Sequence, residues 1–380
     1  MKRPDPTSAA IAETQAIVAA QRHGRRRILA GLAGLGSAGL PLVGASLGIG
    51  GAGLGLPRRA GAQQKLVINT YGGRWEKFWR SDLLPMFTKS ASVTPTLDVG
   101  LGKNFIANLR AAGVEKPPYS VLMVNENIAS VVREEGFFEP IPVDKVPNLA
   151  DVHPNLRNAQ DNGVRGIVST IGIGYRKDLV KKPPTSWTDL WTNPEFKGKI
   201  GLYQIGNTAA MLFLLMSARI HGGSQDAIDA AFTEIKKLMP FQQADWSGTL
   251  ATMLTRGDVN VAVIDFPEIV ALKKKGVPVE MVVPKEGVVA FEQSFNILKH
   301  APSKEAAYQY LNFILGPQVQ EMMAKEFFTS PSNMKSQVPA ELQADIPVNG
   351  ANMSSIVQFD WTKVNPQLQA ITDRWNREMK

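Results

Sequence analysis

The sequence predicts an α/β protein built from two lobes that face each other across a cleft. From residue 63 onward, short β-branched or apolar runs alternate with segments of helical periodicity, which is the pattern of α/β folds. These units form two sets, and the extended run Ile167 to Tyr175 between them is long enough to cross from one lobe to the other. A chain of 380 residues is also long enough for two domains, each with its own core.

The first set contains three strands and three helices. The strands are predicted over residues 65–69, 93–99 and 119–124. The first helix places four large apolar side chains on one face at spacings of three and four residues: Trp75, Phe78, Trp79 and Leu83. The next two helices are predicted over residues 104–112 and 127–135, each closed by a glycine.

The second set follows the extended run. Its strands are predicted over residues 199–203, 259–264 and 279–283, and its helices over 208–221, 226–239, 248–256 and 267–275. Residues 288–298 are predicted to cross back to the first lobe. A helix is then predicted over residues 304–315, another begins after Pro317, and helical pieces close the chain near Trp375. We therefore expect lobe 1 to comprise residues 63–166 and 294–338, and lobe 2 residues 167–293 and 339–380.

The first 62 residues differ in composition from the rest. Arg25-Arg26-Arg27 precedes an uncharged, glycine-rich apolar stretch over residues 28–56, and Ala60-Gly61-Ala62 follows a second basic pair. This order is typical of a secretory signal, and Arg25-Arg26-x-Ile28-Leu29 resembles the twin-arginine type. The ten glycines in the apolar stretch argue against a transmembrane helix. We expect residues 1–62 to be a cleaved export signal, with an uncleaved N-terminal anchor as the alternative.

The formal net charge of +8 belongs mostly to this segment. It holds two acidic residues, Asp5 and Glu13, and eight basic ones, namely Lys2, Arg3, Arg22, Arg25, Arg26, Arg27, Arg58 and Arg59. The remaining chain carries a net +2, which does not indicate nucleic-acid binding. The absence of cysteine excludes disulfides, thiolate metal sites, iron–sulfur clusters and thiol nucleophiles.

Motifs for catalysis or cofactor binding are weak. Two Gly-x-Gly-x-x-Gly patterns, at residues 34–39 and 48–53, lie within the export signal and follow no strand, so they do not predict a dinucleotide site. The histidines after residue 62, His153, His221 and His300, lack the spacing of a metal site or a nucleophile motif. We expect no catalytic residues, no metal and no cofactor.

Polar and aromatic residues occur instead where predicted strands end. Open α/β sheets bind ligands at the carboxyl ends of their strands, and these residues alternate between the two lobes, as the lining of a cleft would. The candidates are Tyr71, Gly72, Gly73, Asn125, Glu126, Asn207, Thr208, Trp246, Ser247, Asp265, Phe291 and Gln293. Each also suits a structural role; the glycines fit a simple turn, and Thr208 fits a helix cap.

Several segments resemble one known family. They are Thr70-Tyr71-Gly72-Gly73, Pro184-Thr185-Ser186-Trp187-Thr188-Asp189-Leu190-Trp191, Phe196-Lys197-Gly198-Lys199-Ile200, Pro284-Lys285-Glu286-Gly287, and the helix 304–315 before Gly316-Pro317. In this order they resemble the periplasmic solute-binding proteins of ABC importers, family 1, nearest the spermidine/putrescine type. The resemblance implies a type II periplasmic-binding fold with crossing hinge strands, ligand capture by closure of the lobes, no catalysis, and delivery to an inner-membrane permease.

The resemblance also bears on the ligand. In polyamine binders an aromatic residue and, two residues on, an aspartate follow the Pro-x-Glu-Gly box; the matching residues here are Phe291 and Gln293. The aspartate that holds an ammonium group is thus replaced by an amide, while Asp265 or Glu126 is left to supply an anion. We therefore expect a small amine or an amino-acid-like zwitterion. Ferric-ion binders of related fold use paired tyrosines, and the sequence has no adjacent pair.

Two other classes of function remain open at this point. One is a secreted cleft enzyme, a lyase or hydrolase, which turnover of a bound compound would reveal. The other is a ligand-sensing protein that reports to a receptor. Under the favoured interpretation the protein is a freely diffusing monomer in the periplasm, with a small molecule and a permease as partners and no nucleic acid.

Overall fold

The computed structural model describes residues 65–380, so the predicted export signal over residues 1–62 lies outside the described residues. The chain begins with three strands: β1 (Val67–Thr70), β2 (Thr96–Val99) and β3 (Val121–Asn125). The helices around them are α1 (Arg74–Phe78), α2 (Leu84–Ala91), α3 (Gly102–Ala112) and α4 (Glu126–Glu134). A π-helical turn, Trp79–Leu83, joins α1 to α2, where the sequence predicts a continuous helix.

The long strand β4 (Val164–Arg176) leads to the second set of elements. These are α5 (Asp189–Thr192), β5 (Ile200–Tyr203), α6 (Thr208–Gly222), α7 (Ile228–Lys236), β6 (Gln242–Ala244), α8 (Ser247–Arg256), β7 (Val261–Asp265), α9 (Phe266–Lys274) and β8 (Val279–Val282). The chain then continues through β9 (Val289–Ile297), α10 (Lys304–Ile314), α11 (Pro317–Phe327), β10 (Ser330–Pro331), α12 (Trp361–Val364) and α13 (Leu368–Glu378). Short 3-10 turns lie at Pro147–Asp151, Pro154–Leu156, Ala159–Asp161, Pro194–Phe196, Ala340–Leu342, Gly350–Ser355 and Asn365–Gln367.

Strand β4 is the centre of an eight-stranded mixed sheet. The order is β3-β9-β4-β7-β5-β6, with β8 and β10 also paired to β4. The first half of β4 pairs antiparallel with β9, where Ser169 faces Phe291. Its second half pairs with β7 and β8, where Ile171 faces Asp265. One strand therefore passes from one lobe into the other, as the extended run in the sequence predicts.

The parallel pair β1 and β2 forms a separate sheet beside β3. The buried side chain of Asn69 donates to the Met123 carbonyl oxygen at 2.8 Å and accepts from the Met123 N–H at 2.7 Å. This amide substitutes for main-chain pairing between β1 and β3. It fixes the end of β1, and the turn after it, next to the end of β3.

Two main hydrophobic cores correspond to the two lobes. Apart from Phe266 and Val288, the first core draws on residues 66–168 and 290–356, and the second draws on residues 171–289 and 359–379. The cores differ from the predicted lobes at three boundaries. Ile167 and Val168 pack in the first core, and so do Ala290, Val348 and Ile356. Within residues 65–380 the chain crosses between the cores three times, near residues 169, 289 and 357.

The third crossing runs beside the second. The Val288 N–H donates to the Ser355 carbonyl at 2.9 Å, and the Val357 N–H donates to the Val288 carbonyl at 2.8 Å. These bonds hold residues 355–357 against the start of β9, which explains why the segment before residue 357 joins the first core. Within residues 65–380, no helix has the length and hydrophobicity needed to span a bilayer.

Candidate ligand-binding cleft

A cleft lies where the two lobes and the crossing strands meet. It consists of two adjoining cavities of about 250 and 530 Å³. Both cavities are lined by the same six residues: Trp75, Ser169, Ser247, Asp265, Phe291 and Gln293. Trp75 comes from helix α1. The crossing strands β4 and β9 supply Ser169, Phe291 and Gln293, and lobe 2 supplies Ser247 and Asp265. Lobe movement about the crossings would therefore change the shape of this cleft.

Another cavity of about 520 Å³ lies within lobe 1, between α2, α10 and α11. Its lining contains amide and apolar side chains, such as Asn148, Gln309 and Phe313, and no charged residue. Two of its amide side chains already bond within the protein. The Asn148 side chain donates to the Asn312 carbonyl at 2.8 Å, and the Asn312 side chain accepts from the Asn148 N–H at 2.9 Å. The interlobe cleft, which combines aromatic rings with carboxylates, is the better candidate for a ligand site.

Asp265 is the principal charged group of the cleft. It ends β7 and precedes α9, and it is only 6% exposed. Its carboxylate accepts hydrogen bonds from the hydroxyls of Tyr203 and of Ser247, the latter at 2.9 Å. Within residues 65–380 it has no ion-pair partner, and burial raises its pKa. The carboxylate is thus oriented by hydroxyls and lacks a cation.

Glu268 adds a second carboxylate on the same wall. It lies in the first turn of α9 and lines the smaller cavity. Its pKa is raised by burial and by the charge of Asp265, while Lys275 and Arg74 act in the opposite direction. Arg74 approaches from lobe 1, where its Nε atom is already paired with Glu326 at 2.6 Å. The lobe 2 wall is therefore acidic.

The lobe 1 wall is aromatic. Trp75 stacks on Phe327 with a centroid distance of 4.3 Å and an angle of 13° between the ring planes. Tyr71 meets Trp75 edge to face at 5.8 Å. These rings offer an apolar and cation-attracting surface opposite the carboxylates of lobe 2.

Three predicted residues form a chain of hydrogen bonds on this side of the cleft. The Tyr71 hydroxyl donates to Gln293 Oε1 at 2.8 Å, and Gln293 Nε2 donates to Asn125 Oδ1 at 2.5 Å. The bonds fix the orientation of the Gln293 amide, and burial raises the pKa of Tyr71, which keeps its hydroxyl protonated. Among the residues that line the two cavities, lobe 1 contributes no carboxylate.

The structure brings six predicted site residues to the cavities: Tyr71, Asn125, Ser247, Asp265, Phe291 and Gln293. Gly72 and Gly73 form the turn into α1, and the φ of +68° at Gly73 favours glycine. Asn207 caps α6 by accepting from the Ala209 N–H at 2.9 Å, and Thr208 begins that helix. Trp246 does not line either cavity; it is 61% exposed and its ring lies over Gly248 beside Ser247.

Glu126, which the sequence suggests as an acid for the ligand, lies outside both cavities. Its side chain is buried. The carboxylate lies 2.9 Å from Arg133 Nη1 and 3.8 Å from Arg165 Nη2. Two arginines thus already neutralise Glu126, and it has no free charge to offer a ligand.

Sequence reasoning missed several residues that line the cavities: Trp75, Lys103, Ser169, Glu268 and Phe327. Trp75 shares a helix face with buried residues, so its spacing predicted a core position. Signals were present for two others. Ser169 and Thr170 interrupt an apolar run, and Glu268 follows Asp265 by three residues, one helical turn into α9.

The sequence is similar to those of known solute-binding proteins. The sequence model of the family described as "Bacterial extracellular solute-binding protein" matches residues 116–353. The spermidine/putrescine-binding periplasmic protein of Escherichia coli (strain K12) is 28% identical over 264 residues, which cover 67% of this chain and 75% of that protein. The gamma-aminobutyric acid-binding protein of Pseudomonas aeruginosa is 23% identical over 338 residues, covering 85% of this chain and 94% of that protein.

A solved structure shows the same fold. The crystal structure of an ABC transporter protein from Clostridium perfringens superposes with a TM-score of 0.74 and 25% sequence identity, covering 83% of this chain and all of that one. The family match spans more than half of the chain, and it agrees with two lobes that enclose a cleft. The protein therefore belongs to the bacterial extracellular solute-binding proteins, with the two-lobed fold and the role of a substrate-binding subunit of an ABC importer.

Proposed function

We propose that the protein captures a small solute with one protonated amine, which binds at Asp265, and delivers it to an inner-membrane permease. The observation that carries the proposal is the buried, hydroxyl-bonded carboxylate of Asp265, which lacks a cation within the described residues. A buried charge is costly unless it is paired, and a ligand ammonium group would pair it. The carbon chain of the solute would lie against Phe291 and the aromatic wall.

The distribution of charge favours one ammonium group over two. Both carboxylates of the cleft, Asp265 and Glu268, are on lobe 2. The lobe 1 side offers neutral Asn125 and Gln293, and Lys103 lines the larger cavity but not the smaller one. A second ammonium group would meet no anion there, whereas a carboxylate would be compatible with Lys103. The names of the relatives fit an amine, since they specify spermidine, putrescine or gamma-aminobutyric acid.

The remaining parts of the proposal concern location and chemistry. The protein acts in the periplasm after export by the twin-arginine route, and the residues left after the cut behind Ala62 work as a monomer that binds without turnover. The polyamine-binding relatives are named as periplasmic proteins, which supports this location and role. Amino-terminal sequencing of the secreted protein tests the cut, and a mature protein that begins elsewhere would contradict it.

Isothermal titration with a matched four-carbon series tests the ligand. The compounds are 1-aminobutane, 4-aminobutanoic acid, 1,4-diaminobutane and butanedioic acid. We expect the first two to bind, the diamine to bind more weakly, and the dicarboxylate not to bind. Asp265→Asn should weaken amine binding at least tenfold, because a hydrogen bond between charged groups contributes about 1.5–3 kcal/mol. Binding of the dicarboxylate in place of the amines would refute the proposal.

A control separates the site from general charge effects. Asp245→Asn removes an exposed carboxylate two residues from Ser247 that lines neither cavity, so the affinity should stay within twofold of the original. Proton NMR of the bound compound should show no new species after prolonged incubation. Conversion of the compound would instead support the cleft-enzyme alternative.

A further inference from the structure

A buried cluster of charges lies directly behind the cleft. It contains Glu126, Arg133, Arg165 and Glu292, whose side chains are between 5% and 19% exposed. Arg165 Nε lies 3.0 Å from Glu292 Oε2, close enough for an ion pair, although its N–H is not aligned for a hydrogen bond. Two carboxylates and two guanidinium groups balance each other, so the cluster is neutral as a whole.

The cluster contacts the back of the ligand site. Glu126 follows Asn125, and Glu292 lies between Phe291 and Gln293 in β9. Since successive side chains in a strand point to opposite faces, Glu292 points away from the cleft that its two neighbours line. Arg165 in β4 lies between the two carboxylates and connects the end of β3 with the middle of β9. The cluster thus holds Asn125 and Gln293 in their relative positions.

The same cluster bonds to the third crossing between the lobes. Gln358 Nε2 donates to Glu292 Oε1 at 2.8 Å. Gln358 lies between Ile356, which packs in the first core, and Phe359, which packs in the second. When one lobe moves relative to the other, the backbone of this crossing, which carries the Gln358 side chain, must therefore change conformation.

We propose that Glu292 is a positioning residue that couples the cleft to the hinge. Its bond to Gln358 holds the third crossing in the arrangement that the bound ligand requires. Removing the bond then weakens ligand binding, although neither side chain lines the cavities. This role is independent of the ligand's identity, which rests on the proposed function.

The chain offers a matched pair of variants. Gln358→Ala removes the bond between the third crossing and the cluster. Gln225→Ala removes two bonds to the same segment two residues later, since Gln225 Nε2 donates to the Asp360 carbonyl and Gln225 Oε1 accepts from the Asp360 N–H, both at 2.9 Å. These contacts stay within lobe 2, where both Ile228 of the helix after Gln225 and Trp361 pack in or against the second core. The control thus loses two amide bonds and Gln358→Ala loses one, yet only Gln358→Ala loses the connection to the ligand site.

The first measurement uses ligand-free protein and hydrogen exchange of the backbone. The Val288 and Val357 amides bond across the second and third crossings, so Gln358→Ala should exchange at least threefold faster at both positions. Gln225→Ala should leave these two amides unchanged. Equal exchange in all three proteins would overturn the proposal, whatever the ligand is.

The second measurement is the affinity for 4-aminobutanoic acid. We expect a three- to tenfold weaker affinity in Gln358→Ala and a change below twofold in Gln225→Ala, with similar thermal stability of the two variants. An unchanged or tighter affinity in Gln358→Ala would overturn the proposal. If the original protein does not bind this probe, the amine ligand is wrong and the exchange experiment alone decides the role of Glu292.

Discussion

At the residue scale, two carboxylates that look alike in the sequence have different surroundings. Both lie at a junction between a buried strand and a helix: Asp265 ends its strand, and Glu126 begins its helix. The sequence therefore predicted both as ligand-binding acids. Glu126 pairs with Arg133 and Arg165, whereas the side chains that bond to Asp265 within residues 65–380 are hydroxyls. The difference depends on Arg133, seven positions along the same helix, and on Arg165, which is 39 positions from Glu126 and which no local pattern indicates as a partner.

The unpaired charge of Asp265 predicts a conflict between stability and function. Asp265→Asn should raise the melting temperature of ligand-free protein at neutral pH by roughly 2–4 °C, because it removes a buried charge while Tyr203 and Ser247 can still donate to the amide oxygen. Differential scanning calorimetry measures this effect. A lower melting temperature would mean that a cation already compensates Asp265 in the free protein.

The difference in melting temperature between Asp265→Asn and the original protein should depend on pH. Burial raises the pKa of Asp265 in the folded protein above its ordinary value of 3.8, so the folded state binds the proton more tightly than the unfolded state. The penalty that the buried Asp265 charge places on the free energy of unfolding therefore disappears as the pH falls from the raised pKa toward 3.8. The two melting temperatures should converge over that range, and a gap that widens on acidification would contradict this account.

At the element scale, β4 shows both the reach and the limit of sequence reasoning. Its long run rich in β-branched residues predicted a strand that crosses between lobes, and the strand extends over 13 residues. Its neighbours were not predictable, because β9 inserts between β3 and β4 from more than a hundred residues away. The short strand β6 was also missed, since Gln242 and Gln243 lack the alternation of apolar and polar residues that marks a strand.

Glycine at position 172 is required by close packing around the crossing strand. A Cβ atom there would lie 2.5 Å from the Phe266 ring and 2.7 Å from the Val282 carbonyl oxygen. Gly172→Ala should therefore lower the free energy of unfolding by about 1–3 kcal/mol in urea titrations. Gly206→Ala is the control, because a Cβ atom there meets nothing within 4 Å. Equal stability of the two variants would show that the strand adjusts without cost.

At the scale of the whole molecule, the order of family-like segments predicted the fold and the role, and the match over residues 116–353 confirms both. The extent of the lobes was less predictable. Residues 339–356 are predicted to belong to lobe 2, yet Val348, Met353 and Ile356 pack in the first core, which belongs to lobe 1. Their position depends on the hydrogen bonds between Val288 and residues 355–357, which bring together distant parts of the chain.

Three crossings between two cores predict a closing movement. Because the acidic wall belongs to lobe 2 and the aromatic wall to lobe 1, a ligand that contacts both should favour a smaller interlobe angle. Small-angle X-ray scattering should show a lower radius of gyration when the binding amine of the four-carbon series is present at saturation. An identical radius with and without ligand would mean that binding proceeds without closure.

The first core includes residues that are synthesised near the end of the chain, and this delays the folding of the amino-terminal lobe. A nascent chain commonly folds domain by domain from its amino-terminal end. Here the amino-terminal lobe cannot complete its interior until the residues up to Ile356 have left the ribosome, and the second lobe then needs Trp361 to Met379 as well. The two lobes thus mature almost together, at the end of translation. For most of translation, therefore, neither lobe has all the residues of its interior, and a chain with one complete lobe exists only while the residues after Ile356 are being made.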